Sequence, residues 1–165
     1  DWTVKVDPDT VFLPERLRDI LRSHTREGGD PENGVYLNNC RMGMHGPLEV
    51  FSRNAVARWG DGIAQCVRHF TKLCSGPCLW GEDLFVDQCL SKVLGSRRDD
   101  AWSVLVEAHC DPSPGWMSCQ NESAAAFHPF KSPHSYHQCL VNATFSANHA
   151  ERDVLQSNAS LGSTV

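Results

Sequence analysis

The chain opens on strict alternation: Trp2, Val4 and Val6 are apolar, while Thr3 and Lys5 between them are polar. That period of two predicts a strand with one buried face. Pro14 at a first helical turn, followed by Leu17, Ile20, Leu21 and His24, predicts an amphipathic helix. The cluster EGGDPENG at 27–34 is turn chemistry. GVYLNN at 34–39 and PLEVF at 47–51 read as short strands. Ser52 suits an N-cap for a helix carrying Ala55, Val56, Trp59, Ile63, Cys66, Val67 and Phe70. Gly60 and Gly62 weaken its middle by roughly 1 kcal/mol each relative to alanine.

CSGPC at 74–78 is a constrained loop. A second helix is predicted from Gly81-Glu82-Asp83, carrying Leu84, Phe85, Cys89, Leu90, Val93 and Leu94 and ended by Gly95. Length and valine content favour a strand over a helical turn for WSVLVEA at 102–108. AFHPF at 126–130 is apolar around a lone histidine, and residues 141–165 predict a polar, loosely ordered tail. No internal repeat interrupts this succession of strands and helices, which predicts an α/β domain.

Composition narrows the partners. A chain of 165 residues can enclose one real core, and its 41% hydrophobic and 21% charged residues are ordinary for a globular protein. The net charge of −5 is interspersed, with no basic patch for nucleic acid. No apolar run approaches the ~20 residues that cross a bilayer, and there is no signal peptide. The first residues are Asp1-Trp2, without a methionine, and read as the downstream part of a longer protein. A targeting segment or membrane anchor would then lie upstream.

The cysteines, Cys40, Cys66, Cys74, Cys78, Cys89, Cys110, Cys119 and Cys139, are even in number and dense, which fits an oxidising compartment. Their pairing stays open at this level. Sequons at Asn121, Asn142 and Asn158 point the same way, towards the lumen of the secretory pathway.

Several groups could carry chemistry, and each has a plainer reading beside it. Asp7 and Asp9 follow the first strand directly. In open α/β sheets ligands collect beyond the carboxyl ends of strands, and two carboxylates there suit Mg²⁺ or Mn²⁺ bridging a diphosphate. Asp-Pro-Asp-Thr is equally good turn chemistry. Glu82 and Asp83 stand at a helix start, where the dipole favours carboxylates, and either could act as a general base. His128 is a ligand for Mn²⁺ or Zn²⁺, or a satisfied core histidine. Trp80 could stack on a sugar ring or simply fill the core. Cys74 and Cys78 could enter a zinc site, but a disulfide explains them with fewer assumptions.

Four patterns occur in one order: W-x-x-K-x-D-x-D-T at the start, a G-x-x-x-V-x-S strand at 46–52, Glu82-Asp83-Leu84, and Phe127-His128-Pro129-Phe130. The series resembles the β-1,3-glycosyltransferase family, closest to the core 1 β-1,3-galactosyltransferases and related to the Fringe enzymes. It covers roughly residues 1–140. The resemblance implies a GT-A-like fold and inverting transfer of a hexose from a UDP-sugar to a hydroxyl of a glycan or glycoprotein acceptor, assisted by Mn²⁺ in the Golgi. It places Asp7 and Asp9 on the metal and donor diphosphate, with His128 as a further metal ligand. Asp83 takes the place of the general base, with Glu82 as the fallback, and Trp80 lies beside the acceptor.

Two departures bear on this. Pro8 stands where the family has an aspartate, and Gly46-Pro47-Leu48-Glu49-Val50 replaces a glycine-rich strand bearing an aromatic. The nucleoside-binding strands of such a domain precede the two aspartates, so the chain is expected to hold the C-terminal part of the fold and to have little transferase activity by itself. The alternative is a non-catalytic secretory-pathway module of the same fold that binds a glycan or a partner protein.

Overall fold

The computed structural model describes residues 1–25 and 30–145. Its architecture is mixed α/β, built on two small sheets. The first sheet takes β1 (Trp2–Val6), β4 (Leu48–Ser52), β3 (Val35–Asn38) and β5 (Arg97–Asp100), in that spatial order. Pairing is antiparallel for β1/β4 and β4/β3 and parallel for β3/β5. The carboxyl ends of β1, β3 and β5 therefore lie along one edge. The second sheet takes β2 (Val11–Phe12), β7 (Ala126–His128) and β6 (Leu105–Glu107).

Helices cover both faces of the first sheet. On one face α1 (Pro14–His24) packs Leu17 and Leu21 against Leu37, Leu48 and Val50, and the alternating Trp2, Val4 and Val6 join that cluster as predicted. On the other face Tyr36 and Phe51 meet Cys66 and Phe70 of α2 (Arg53–Leu73) and Val86 of α3 (Glu82–Gln88). Ser52 caps α2 as its spacing predicts, accepting the Ala55 N–H at 3.3 Å. Gly62 is explained by packing: a Cβ there would stand 2.3 Å from a Leu94 methyl. After α3 the chain widens into a π-helical turn, Cys89–Val93, and Gly95 follows at φ +71°.

The structure differs from the pattern reading in four places. Arg97-Arg98-Asp99-Asp100 is a strand despite having no apolar residue. As an edge strand it needs no buried side-chain row, and its charges are satisfied laterally, Arg97 on Asp99 at 2.8 Å and Arg98 on the buried Asp87 at 3.4 Å. In WSVLVEA only Leu105–Glu107 is strand; Trp102 and Ser103 form a turn. The two-residue β2 is too short to leave a periodicity. Residues 133–145 form a helix, α4, which enters the expected tail by five residues; the rest of that segment, with Asn158, lies outside the described residues. Ser132 caps α4 by accepting the Ser135 N–H at 3.1 Å, and Tyr136, Cys139, Leu140 and Ala143 bury its inner face.

All eight cysteines are paired: Cys40–Cys110, Cys66–Cys89, Cys74–Cys78 and Cys119–Cys139. This suits an oxidising, secreted or lumenal environment. No helix among the described residues is long and apolar enough to cross a membrane.

Candidate functional site

Two clusters meet where the sheets approach each other, and strand register builds both. In the first, the β1/β4 register sets Lys5 directly opposite Glu49. Opposite charges at such a pair attract across the ladder. The Lys5 Nζ lies 2.7 Å from Glu49 Oε1 and 3.6 Å from both Asp7 Oδ1 and Glu82 Oε2, and it donates to the Gly46 carbonyl at 3.2 Å. Burial disfavours the Lys5 ammonium, but the hydrogen bond it donates to Glu49 and the charges of Glu49, Glu82 and Asp7 outweigh it and raise its pKa. Glu49 is 3% exposed, and burial pushes its carboxyl up to about 7; Lys5 opposes that rise, and Glu82 and Asp83 add to it. Enclosed in this way, Glu49 acts on Lys5 rather than on any ligand. Glu49 is the lysine's counter-ion.

In the second cluster, β6 and β7 run parallel with Glu107 level with His128. β2 pairs antiparallel with β7, Val11 opposite Phe127, so the residues before β2 run past His128, and the Phe130 N–H donates to the Asp9 carbonyl at 2.8 Å. His128 Nε2 consequently faces Asp9 Oδ1 at 3.4 Å, while its Nδ1 faces Glu107 Oε1 at 3.3 Å. Glu107 is 1% exposed and also accepts the His109 backbone N–H at 2.6 Å and faces His109 Nδ1 at 2.9 Å. Burial works to raise the Glu107 pKa, but these bonds from His109 and His128 win and hold it below the usual carboxylate range. An ionised Glu107 accepts from His128 Nδ1, which keeps the proton on that nitrogen and leaves Nε2 as the lone-pair donor beside Asp9. A carboxylate behind a ligating histidine is the usual outer-shell arrangement of metal sites. Carboxylate oxygen and imidazole nitrogen are donor types that suit a cation such as Mn²⁺, and Asp9 and His128 supply two of them.

The predicted residues divide between the clusters. Asp9 and His128 are brought together. Asp7 turns to Lys5 instead, and its backbone N–H is bound by the Pro47 carbonyl at 3.2 Å. Asp83 accepts the Gly46 N–H at 3.0 Å through Oδ2 and the Leu84 N–H at 2.8 Å through Oδ1, so it pins the start of β4 to α3. Glu82 projects into solvent with its side chain 64% exposed. Trp80 is half-buried and packs edge-on against Phe70, ring centres 5.0 Å apart, as part of the α2–α3 core.

Cys74 and Cys78 form a disulfide, which removes the thiolates that zinc would require. Among the described residues, one trio of Cys, His, Asp or Glu groups has its ligand atoms within 4.8 Å of one another: Cys40, His45 and Cys110. Its two sulfurs are bonded to each other, so it also lacks thiolates. Lys5 and Glu107 enter these clusters without being singled out by the sequence; the one signal for Glu107 is an acid directly after the apolar run Val104-Leu105-Val106. Compared with family models, curated proteins and solved structures, the chain matches none.

Proposed function

We propose that this chain carries the cation and acceptor-activating half of a GT-A-like, inverting β-1,3-glycosyltransferase of the secretory pathway, acting in the Golgi on a UDP-sugar and a glycan or glycoprotein hydroxyl. The observation that carries the reading is Asp9 Oδ1 at 3.4 Å from His128 Nε2, with Glu107 behind the imidazole. Asp9 and His128 are more than a hundred positions apart in the sequence, and two strand registers bring them together.

In this reading Asp9 and His128 hold a Mn²⁺ ion, and Glu107 fixes the ring that presents Nε2. A cation held by Asp9 and His128 would supply positive charge to a diphosphate leaving group. Lys5, with its raised pKa, keeps a fixed positive charge among Asp7, Glu49 and Glu82 and prevents their mutual repulsion from opening the site. Asp83 takes the proton from the acceptor hydroxyl. That oxygen bonds to the anomeric carbon on the face opposite UDP as the carbon–oxygen bond to the diphosphate breaks.

One observation favours the second reading, a non-catalytic glycan- or partner-binding module. Both Asp83 oxygens already accept backbone N–H groups, a structural role complete in itself. A calorimetric Mn²⁺ titration decides between them. The transferase reading expects Mn²⁺ binding, weakened at least tenfold in Asp9→Ala and in His128→Ala. No binding by the folded wild type would overturn it and leave the module.

A further inference from the structure

A cleft of about 1050 Å³ opens between α1 and the loops that follow β3 and β5. It lies at the carboxyl edge of the first sheet, the same edge that carries Asp7, but towards the opposite end of the strand order. The volume reaches the upper end of the range of ligand pockets, ~300–1,000 Å³. The disulfide Cys40–Cys110 lies in its lining and ties the loop after β3 to the one after β6.

Trp102, 46% exposed, stands in the lining, and the Arg41 guanidinium sits 5.0 Å from its ring centre. This tryptophan is not core: it occupies a turn beyond the edge strand β5, where a polar residue would cost nothing. The Arg41 guanidinium stacks on its ring. Asp100, whose side chain is 55% exposed, lines the same cleft and is oriented by the Asn38 amide at 2.8 Å.

The charge of the lining decides the ligand class. The lining holds four acids, Asp19, Asp100, Asp111 and Glu122, and two arginines, Arg16 and Arg41, with Asp19 paired to Arg22 at 2.8 Å. Arg16 is already spent on the carbonyls of Asn121, Ala124 and Ala143. Such a wall repels a diphosphate or an acidic glycan. A neutral polyhydroxylated ring fits it: the C–H face of a sugar covers an indole, and its hydroxyls donate to carboxylates. A second cavity, of about 160 Å³, shares Trp102, Ser103, Cys110 and Asp111 with the cleft and reaches Glu107, the residue behind His128.

We infer that the Trp102–Arg41–Asp100 cleft is a binding site for a neutral saccharide. Its role as the acceptor subsite rests on the transferase reading above; saccharide binding does not. The test is a titration of the chain with neutral methyl glycosides of galactose, glucose, fucose and N-acetylgalactosamine and their disaccharides, following the Trp102 indole N–H by NMR, beside a parallel titration with UDP. At least one glycoside should give a saturable shift. Trp102→Ala should weaken it at least tenfold and Arg41→Ala by a smaller factor, while Trp102→Phe keeps part of the affinity and all three variants melt cooperatively.

If no glycoside shifts Trp102, if UDP shifts it instead, or if a folded Trp102→Ala binds like wild type, the inference is overturned. Mn²⁺ titration of the wild type separates the two proposals. Glycoside binding in a wild-type protein that binds no Mn²⁺ supports the saccharide cleft and removes the transferase; Mn²⁺ binding without glycoside binding does the reverse.

Discussion

Glu49 shows how far one residue's role depends on its surroundings. It interrupts the strand Leu48–Ser52, where sequence alone marks it only as an oddity. Buried opposite Lys5, it has a carboxyl raised from 4.5 to about 7. A carboxyl whose pKa is raised by folding binds its proton more tightly in the native state, so its contribution to stability is full below its ordinary pKa and is lost as pH rises through the folded value. Wild-type stability should therefore fall between about pH 4.5 and pH 7, by on the order of 3 kcal/mol. Glu49→Gln should flatten that slope in urea melts run across the interval. An unchanged slope would mean that the Lys5 charge compensates Glu49 completely. At the other cluster, Glu107→Gln keeps the shape but not the charge that fixes the His128 tautomer. It should weaken Mn²⁺ binding about tenfold or more by calorimetry while the fold is retained.

The two glycines of α2 argue the same point at the level of the element. Sequence assigns Gly60 and Gly62 one cost, because propensity does not know what lies outside the helix. In the structure, a Cβ at Gly60 meets nothing within 4 Å, whereas one at Gly62 runs into Leu94 at 2.3 Å. Gly60→Ala should therefore stabilise the protein by up to ~1 kcal/mol. Gly62→Ala should destabilise it by about 1–3 kcal/mol through overpacking. Thermal melts of the two variants give opposite signs if the packing is as described. The strands divide similarly. β1 and β4 are legible because a period of two survives in them. β5 is not, because an edge strand of Arg and Asp carries no apolar rhythm, and α4 is not, because its last turn runs into the polar segment from 141.

Across the whole molecule the disulfides span very different lengths of chain. Cys40–Cys110 encloses a separation of 70 residues, and Cys74–Cys78 one of 4. Loop-closure entropy makes the long link worth about 4 kcal/mol and the short one about 2 kcal/mol. Replacing Cys40 and Cys110 together by serine should lower the denaturation midpoint well below that of the matching Cys74/Cys78 variant, and it should also loosen the Trp102 cleft. Equal midpoints would show that the long loop is already constrained by the sheet. The sequons separate as well. Asn121 is exposed in a loop, while Asn142 lies inside α4 and donates its amide to the Ser118 carbonyl at 3.1 Å. Mass spectrometry of protein made in a secretory host should find glycan at Asn121 in preference to Asn142.

The sequence by itself determined what local chemistry can decide: the alternating face of β1, the capped start of α2, the helix opening at Glu82, and an even set of cysteines suited to an oxidising compartment. Those features depend on neighbours within a few residues, and such neighbours are visible in a string of letters. Tertiary structure alone decided which acids belong together. Asp7 and Asp9, two positions apart, turn to different partners because one follows β1 towards Lys5 and the other leads into β2 beside His128. Glu107 reaches that histidine through the β6/β7 register. Strand pairing across long separations is set by the balance of the whole core, so no spacing within the sequence encodes it.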